Sequence, residues 1–320
     1  MKDLSIVIIN WNTKALLKDC LESIYKNTHN ISFEIIVVDN ASNDGSVEMI
    51  DQDYKNIVLI KNKTNIGFAK ANNLAFKSIE GRYVLLLNSD TLVLPDAFEN
   101  TIKYMDSNDN VGIITPKILN RDGSIQHPCY IKAPSLLTEI YYNFKIDKIF
   151  KNFDTTPADD TIREIIHATG AALFIRTTAL KQVGDLDERM IFTLEDADIC
   201  IRVLHAGWKN VYFPNSQIIH FGGESRTKLS DKGINAMYLS RYIFFKKYNN
   251  FLVMVLLVLT HISAALFRIM CTFTSVIIEP KKWDFKKQFI DYNFRILKWH
   301  LFSINRFNSM EKKSMSVKEN

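Results

Sequence analysis

Four short apolar runs, the first, second and fourth closed by polar turns, lie within the first ninety residues, and this alternation most narrows what the chain can fold into. Leu4–Ile9 and Glu34–Val38 are rich in Val and Ile and read as buried strands. Ile57–Ile60 and Tyr83–Leu87 read as a third and a fourth strand. Between them, Ala15–Tyr25 sets Leu16, Leu17, Cys20, Leu21 and Ile24 on one helical side. Val47–Asp51, with Ser46 as N-cap, and Ala69–Ile79 read as two more helices. Strands alternating with helices over short turns predict βαβ units and a parallel sheet. Ligands of such sheets sit beyond the carboxyl ends of the strands. The polar turns Asn10–Asn12, Asp39–Asp44 and Asn88–Asp90 all follow strands, so they should converge on one edge.

Further on, Pro116, Asp122-Gly123, Pro128, Pro134 and Pro157 break up residues 100–165. A strand near Gly112–Thr115 and long loops bordering an acceptor are expected there. Ala171–Ile175 and Asn210–Phe213 read as strands, Asp196–Ala206 and Ile234–Lys247 as helices. Two clusters stand out. Glu195, Asp196 and Asp198 place three carboxylates in four positions, and His220 ends an apolar run before Phe221-Gly222-Gly223. Carboxylates beside an imidazole at strand ends can supply a general base and a metal ligand.

Each candidate has two readings. Asp39 can accept from a nucleobase N–H or a ribose hydroxyl, or form an Asx-turn with Asn40. Asp90 can hold a divalent cation through oxygen, or start the turn that leads to Pro95-Asp96. Asp196 can take a proton from an attacking hydroxyl, or complete a capping box with Thr193. Asp198 and Arg202 stand at i,i+4 and can pair. His220 can ligate, or be a hydrogen-bonded histidine at a strand end.

From Phe251 to Ile278 the chain changes character. Phe251–Phe267 is apolar except for Thr260, His261 and Ser263, and Arg268 interrupts the rest. Arg241, Lys246 and Lys247 precede it; Lys281, Lys282, Lys286 and Lys287 follow. Basic flanks on both sides fit a segment that re-enters or lies in the membrane interface. A single membrane span and a buried helix with a solvated basic face are the other readings. The formal charge of +5 is a property of the tail: residues 281–320 carry ten Lys/Arg and four Asp/Glu, leaving the remainder near −1. That pattern argues against a nucleic-acid groove in the main domain. The four cysteines form no CxxC pair and read as reduced, mostly buried thiols of an intracellular protein. The start of the chain has no long apolar core or cleavage site, so secretion is not expected.

In order, the segments SIVIINWN (5–12), IIVVDNASNDGS (35–46), NIGFAKANN (65–73), YVLLLNSDTLVLPDAF (83–98), ATGAALFIR (168–176) and residues 183–225 resemble glycosyltransferase family 2, the inverting GT-A enzymes, in their rhamnosyltransferase-like branch. The resemblance implies an α/β GT-A fold: a Rossmann-like, mostly parallel sheet flanked by helices over residues 1–235, with a helical membrane-associating extension at 236–320. It implies that Asn10, Trp11, Asn12, Asp39, Asn40 and Gly67 help hold the nucleotide sugar. Asn88, Ser89 and Asp90 stand in the place of the family's DxD motif, Asp90 and His220 would ligate Mg²⁺ or Mn²⁺, and Gly170 would lie near donor and acceptor. Asp196 would be the catalytic base, with Glu195 positioning it or the acceptor. The first DxD position is Asn88, which removes one negative charge near the cation.

The implied reaction is a single displacement with inversion, from dTDP-rhamnose or a UDP-sugar to a hydroxyl of a polyprenyl-linked glycan or surface polysaccharide. The implied place is the cytoplasmic face of the plasma membrane, through a peripheral or re-entrant attachment. A dehydrogenase or methyl transferase would want a glycine-rich turn after the first strand, where this chain has Asn10-Trp11-Asn12-Thr13. A membrane-attached scaffold with a decayed site is the alternative from another class.

Overall fold

The computed structural model describes residues 1–126, 130, 132–149, 153, 159–168, 170–222, 231–278 and 283–303. Pro128, Cys129, Pro157, Gly223, Lys281 and Lys282 lie outside them. The described chain divides into two compact units. The first comprises residues 1–133, 155–187 and 195–227; the second draws residues 134–154 and 188–194 together with 228–320.

The first unit opens with β1 (Lys2–Asn10), α1 (Lys14–Asn27), β2 (Phe33–Asp39), α2 (Ser46–Asp53), β3 (Val58–Lys61), α3 (Phe68–Phe76) and β4 (Gly81–Asn88). It continues with β5 (Thr91–Val93), α4 (Ala97–Asp106) and β6 (Val111–Leu119). In the second unit lies α5 (Leu136–Asn143). The first unit then resumes with β7 (Arg163–Ile165), β8 (Ala172–Arg176), α6 (Thr177–Val183), α7 (Glu195–His205) and β9 (Lys209–His220). The strands pair in the order β3-β2-β1-β4-β8-β6-β9-β5, with β7 also on β9.

The first four strands are parallel, as the alternation predicts. Beyond β4 the sheet is mixed, because β8 runs antiparallel to both β4 and β6. β9 is longer than the apolar run that marks it. It runs parallel to β6 from Lys209, and its last residues pair antiparallel with β5, Thr91 opposite His220.

Residues alternate faces along each strand. Leu4, Ile6, Ile8, Leu85 and Phe174 enter the core under α1, α2 and α4. Val7, Ile36, Val84 and Leu173 enter the core that includes α3, α6 and α7 residues. Apolar burial on both faces explains the uninterrupted runs of β1 and β2. β3 is the edge, and Val58 is exposed. Cys20 and Cys200 are buried, while Cys271 is exposed.

Two local expectations change. Gly45, at φ 82°, caps α2, and Ser46 is its first helical residue; the Asp44 carboxylate accepts from the Ser46 amide at 3.1 Å. A left-handed φ suits glycine, which has no Cβ to clash. Similarly, α7 begins at Glu195 after Leu194 at φ 70°, so Thr193 stands too far ahead to form a capping box with Asp196. The Asp198–Arg202 pair does form: Nε to Oδ2 is 2.8 Å with Asp198 fully buried. Arg202 also donates to the carbonyls of Val183, Gly184 and Asp185, tying α7 to the loop after α6. Removing one partner of a buried pair strands the other charge. Asp198→Ala should therefore lower unfolding stability by about 3 kcal/mol, read as a lower urea midpoint at unchanged slope.

Candidate active site

Strand register assembles the site. Asn10 is level with Asp39 on β2, and Ile9 with Asn88 on β4. The three polar turns therefore leave the sheet side by side, as expected for ligand-binding strand ends. Asn10 Nδ2 donates to Asp39 Oδ2 at 2.8 Å and to Ser42 Oγ at 3.1 Å, while the Ser42 amide donates to Asp39 Oδ1 at 2.8 Å. Thr13 Oγ1 reaches Asn10 Oδ1 at 2.7 Å and lies 2.9 Å from Ser89 Oγ, linking the first turn to the third. Asn62 Nδ2 donates to Asn40 Oδ1 at 2.9 Å.

The predicted nucleotide-sugar residues thus fall into two groups. Asn10, Asp39, Asn40 and Ser89 are buried and form a framework. Trp11 (56% exposed), Asn12, Gly67, Asn88 and Asp90 are accessible around it. Asp39 holds Ser42 in a turn and also Asn10, so its carboxylate organises the loop whatever else it binds. Gly67 precedes α3 at φ 85°, ψ 169°, a conformation open to glycine.

The second cluster lies at the end of β4. His220 Nε2 is 3.2 Å from Asp90 Oδ1 and 3.3 Å from Asn88 Nδ2. Asp90 is drawn in further by the Phe221 amide, which donates to its carbonyl at 2.9 Å. Burial pushes the Asp90 carboxyl up, but its contacts with the His220 ring and the Gly222 amide outweigh it and hold the group below the usual range.

Gln126 decides the state of the ring. Its Nε2 donates to the His220 carbonyl at 2.7 Å, and a carbonyl can only accept. Its Oε1 therefore faces His220 Nδ1, at 2.6 Å, and Nδ1 must carry the proton. The Nε2 lone pair is then left facing the Asp90 oxygen. Asn88 Nδ2, 3.3 Å away, can donate to that lone pair, and the space Nε2 shares with the Asp90 oxygen at 3.2 Å can take a proton or a cation. One carboxylate oxygen and one imidazole nitrogen at that spacing would suit two ligands of a divalent cation. Among the described residues no group of three or more His, Cys, Asp or Glu gathers as a metal cluster.

The third cluster is Gly170 with Asp196. The Gly170 amide donates to Asp196 Oδ2 at 2.8 Å, and the Ala197 amide to Oδ1 at 2.7 Å. The next residue of the loop, Ala171, accepts the Asn88 amide at 3.0 Å, so this carboxylate is tied to the strand end that carries Asn88. Glu195 differs from its neighbour. It is buried, and among the described residues its Oε2 finds no hydrogen-bond partner. Burial and the adjacent Asp196 charge raise its pKa from 4.5 to about 8. Burial and the neighbouring charge thus favour the protonated form of Glu195.

The sequence reading missed Gln126, Thr13, Ser42 and Asn62. Ser42 and Thr13 lie inside segments already singled out. Gln126 follows the Asp122-Gly123 turn, and its place depends on the Leu119–Ile125 bridge that folds it back beside His220.

Two outcomes follow from these geometries. In Gln126→Ala, ¹⁵N-detected NMR should show His220 losing its Nδ1–H tautomer preference. Glu195 is raised in the fold, so its contribution to stability is full below about pH 4.5 and is lost as pH rises through about 8. Stability measured against pH should decline across that window, and Glu195→Gln should remove the decline.

The sequence profile described as "Glycosyl transferase family 2" matches residues 5–181, more than half of the chain. A relative in Mycobacterium tuberculosis, N-acetylglucosaminyl-diphospho-decaprenol L-rhamnosyltransferase, is 25% identical over 257 residues, 75% of this chain and 83% of its own length. The mannosyltransferase PcManGT of Pyrobaculum calidifontis, solved with GDP-Man and Mn²⁺, superposes with a TM-score of 0.56 at 13% identity, over 95% of this chain and 90% of that one. GalNAc-T7, solved with UDP, GalNAc and Mn²⁺, has a TM-score of 0.55 at 15% identity over 78% of this chain, which spans about half (51%) of that enzyme's length. The chain belongs to glycosyl transferase family 2, with a GT-A fold, and is a nucleotide-sugar-dependent glycosyltransferase.

Proposed function

We propose that this enzyme transfers L-rhamnose, with inversion, from a nucleoside-diphosphate sugar to a hydroxyl of a lipid-linked glycan. The observation that carries the reading is the Gln126-oriented His220–Asp90 pair, tied through Asn88 to the loop that holds Asp196. Trp11, Asn12 and Gly67 border the nucleotide, on the framework built by Asn10, Asp39 and Asn40. Asp90 and His220 would hold a divalent cation, Mg²⁺ or Mn²⁺, with Asn88 and Ser89 beside it. When bound, such a cation would supply charge compensation for the leaving diphosphate.

Asp196 accepts the proton of the acceptor hydroxyl as its oxygen attacks the anomeric carbon, and the nucleoside diphosphate departs from the opposite face. The Gly170 and Ala197 amides aim the carboxylate. Protonated Glu195 sits behind it, positioning without adding a second charge. A well-placed base supplies roughly 10²–10⁴-fold in rate, and alignment with leaving-group electrostatics supplies much of the rest. The name of the mycobacterial relative supports rhamnose and a diphospho-polyprenol acceptor. A lipid-borne acceptor fits attachment at the cytoplasmic membrane face through residues 236–320.

The test is transfer by the purified full chain with Mg²⁺ or Mn²⁺, comparing dTDP-rhamnose with UDP-sugars on a polyprenyl-diphosphate N-acetylglucosamine acceptor. Product from dTDP-rhamnose, lost on chelation and in Asp90→Ala, is the expected result. Product from a UDP-sugar instead overturns the donor, and no turnover with any donor favours the decayed scaffold. Asp196→Asn should lower transfer about 10²–10⁴-fold while donor binding, followed by calorimetry, stays within a few-fold.

A further inference from the structure

The second unit contains α8 (Asp231–Tyr248), α9 (Phe251–Ile278) and α10 (Trp283–Lys298), besides α5. α9 has its polarity reversed. Residues of a helix step about 100° around the axis. Phe251, Leu252, Leu256, Leu259, Leu266 and Met270 accordingly fall in one arc of roughly 140°, and all are exposed. The opposite arc carries the polar groups. His261 is buried there, with Nε2 3.0 Å from Glu139 Oε2 and Nδ1 2.9 Å from the Tyr242 hydroxyl. Arg268 donates to Asn293 Oδ1 at 2.7 Å and to Asn143 Oδ1 at 3.2 Å. A water-facing helix arranges these the other way, apolar inward and polar outward. On the outer arc the Ser263 and Thr274 hydroxyls donate to the carbonyls of Leu259 and Cys271, so both are satisfied within the helix.

At 28 residues α9 is long and apolar enough to cross a bilayer. Its neighbour opposes that orientation. α10 packs antiparallel along it in a fixed register: Lys286 Nζ donates to the Ser275 carbonyl, Arg268 meets Asn293, and the His261 ring lies 5.4 Å from His300. Each pair follows the last by seven residues, about two turns. In that register Lys298 is level with Ser263, the middle of the apolar stretch, and Asp291 with Met270. Lys287, Asp291 and Lys298 are all exposed. A crossing α9 would carry Lys298 to the hydrocarbon centre and Asp291 to about 10 Å from it, where charged side chains are costly.

We propose that α9 lies in the plane of an anionic lipid leaflet, its outer arc immersed among the upper acyl chains, and does not cross. This specifies the geometry of the membrane attachment proposed above and rests on it. Charge supports the partner: Lys246 and Lys247 are exposed at the end of α8, just before α9, and Lys287 and Lys298 are exposed along α10, placing cations near anionic headgroups.

The test uses the full chain with Cys129→Ser and Cys271→Ser, the two other thiols being buried. Nitroxide labels are placed singly at Leu252, Leu259, Leu266 and Phe273, and depth is read from oxygen against nickel-chelate accessibility on phosphatidylcholine vesicles containing phosphatidylglycerol. Equal, shallow depth at all four positions is the expected result. Depth greatest at Leu259 and Leu266, with Leu252 and Phe273 near opposite headgroups, overturns the in-plane geometry and keeps the attachment. Failure to bind vesicles overturns both, and label–label coupling in vesicle-free protein overturns the lipid partner in favour of a second copy. The Leu259→Glu/Leu266→Glu variant should bind these vesicles at least about tenfold more weakly, with unchanged donor hydrolysis in solution showing that the first unit still folds.

Discussion

The lateral pairing of β1 between β2 and β4 is the constraint on which the rest of the first unit depends. β1 buries side chains on both faces, so its backbone must be satisfied by its two neighbours; the buried Ser5 within it donates to Glu34, and Asn10 stands at its end. Register then places Asn10 beside Asp39 and, one residue earlier, Ile9 beside Asn88. A slip of one residue would turn Leu4, Ile6 and Ile8 to the wrong core and separate the polar turns. Core packing and site assembly are consequences of the same register.

The polar residues at this edge divide the work. Asn10, Asp39, Ser42 and Thr13 spend their hydrogen-bonding capacity on each other and on Ser89. Burial in low dielectric makes each such contact matter, because an unpaired group there is expensive. That leaves Trp11, Asn12, Asn88 and Asp90 facing outward on a stiff support. His220 arrives by another route, from the far end of β9, where β5 pairs back next to the Asn88–Asp90 turn. Gln126 then sets the ring's tautomer through the His220 carbonyl, a contact to backbone that does not depend on what occupies the Nε2 side.

In the second unit the organising interactions are polar and internal. Glu139, Arg241, His261 and Tyr242 form a connected network, with Arg241 Nε 2.8 Å from Glu139 Oε1. Removing these groups from water is paid for only because each meets a partner. Their inward placement leaves the apolar side chains of α9 outside, which explains how one apolar stretch can contain both a histidine and an arginine.

The sequence by itself determined the parallel half of the sheet, the helices between its strands and the three polar turns at one edge, because alternating periodicity and turn chemistry are local. Asp90, Asp196 and His220 were recognisable as candidates for the same reason: each stands at the end of an apolar run or the start of a helix. Tertiary structure decided the antiparallel insertion of β8, the extension of β9, and which carboxylate of the Glu195-Asp196 pair is buried. It also decided the place of Gln126, whose partner is 94 residues away in the chain. Periodicity could mark α9 as apolar, but its inward polar arc depends on partners in α5, α8 and α10. Contacts between distant segments leave no local pattern to read, since each residue's role depends on a surface that exists only once the chain has folded.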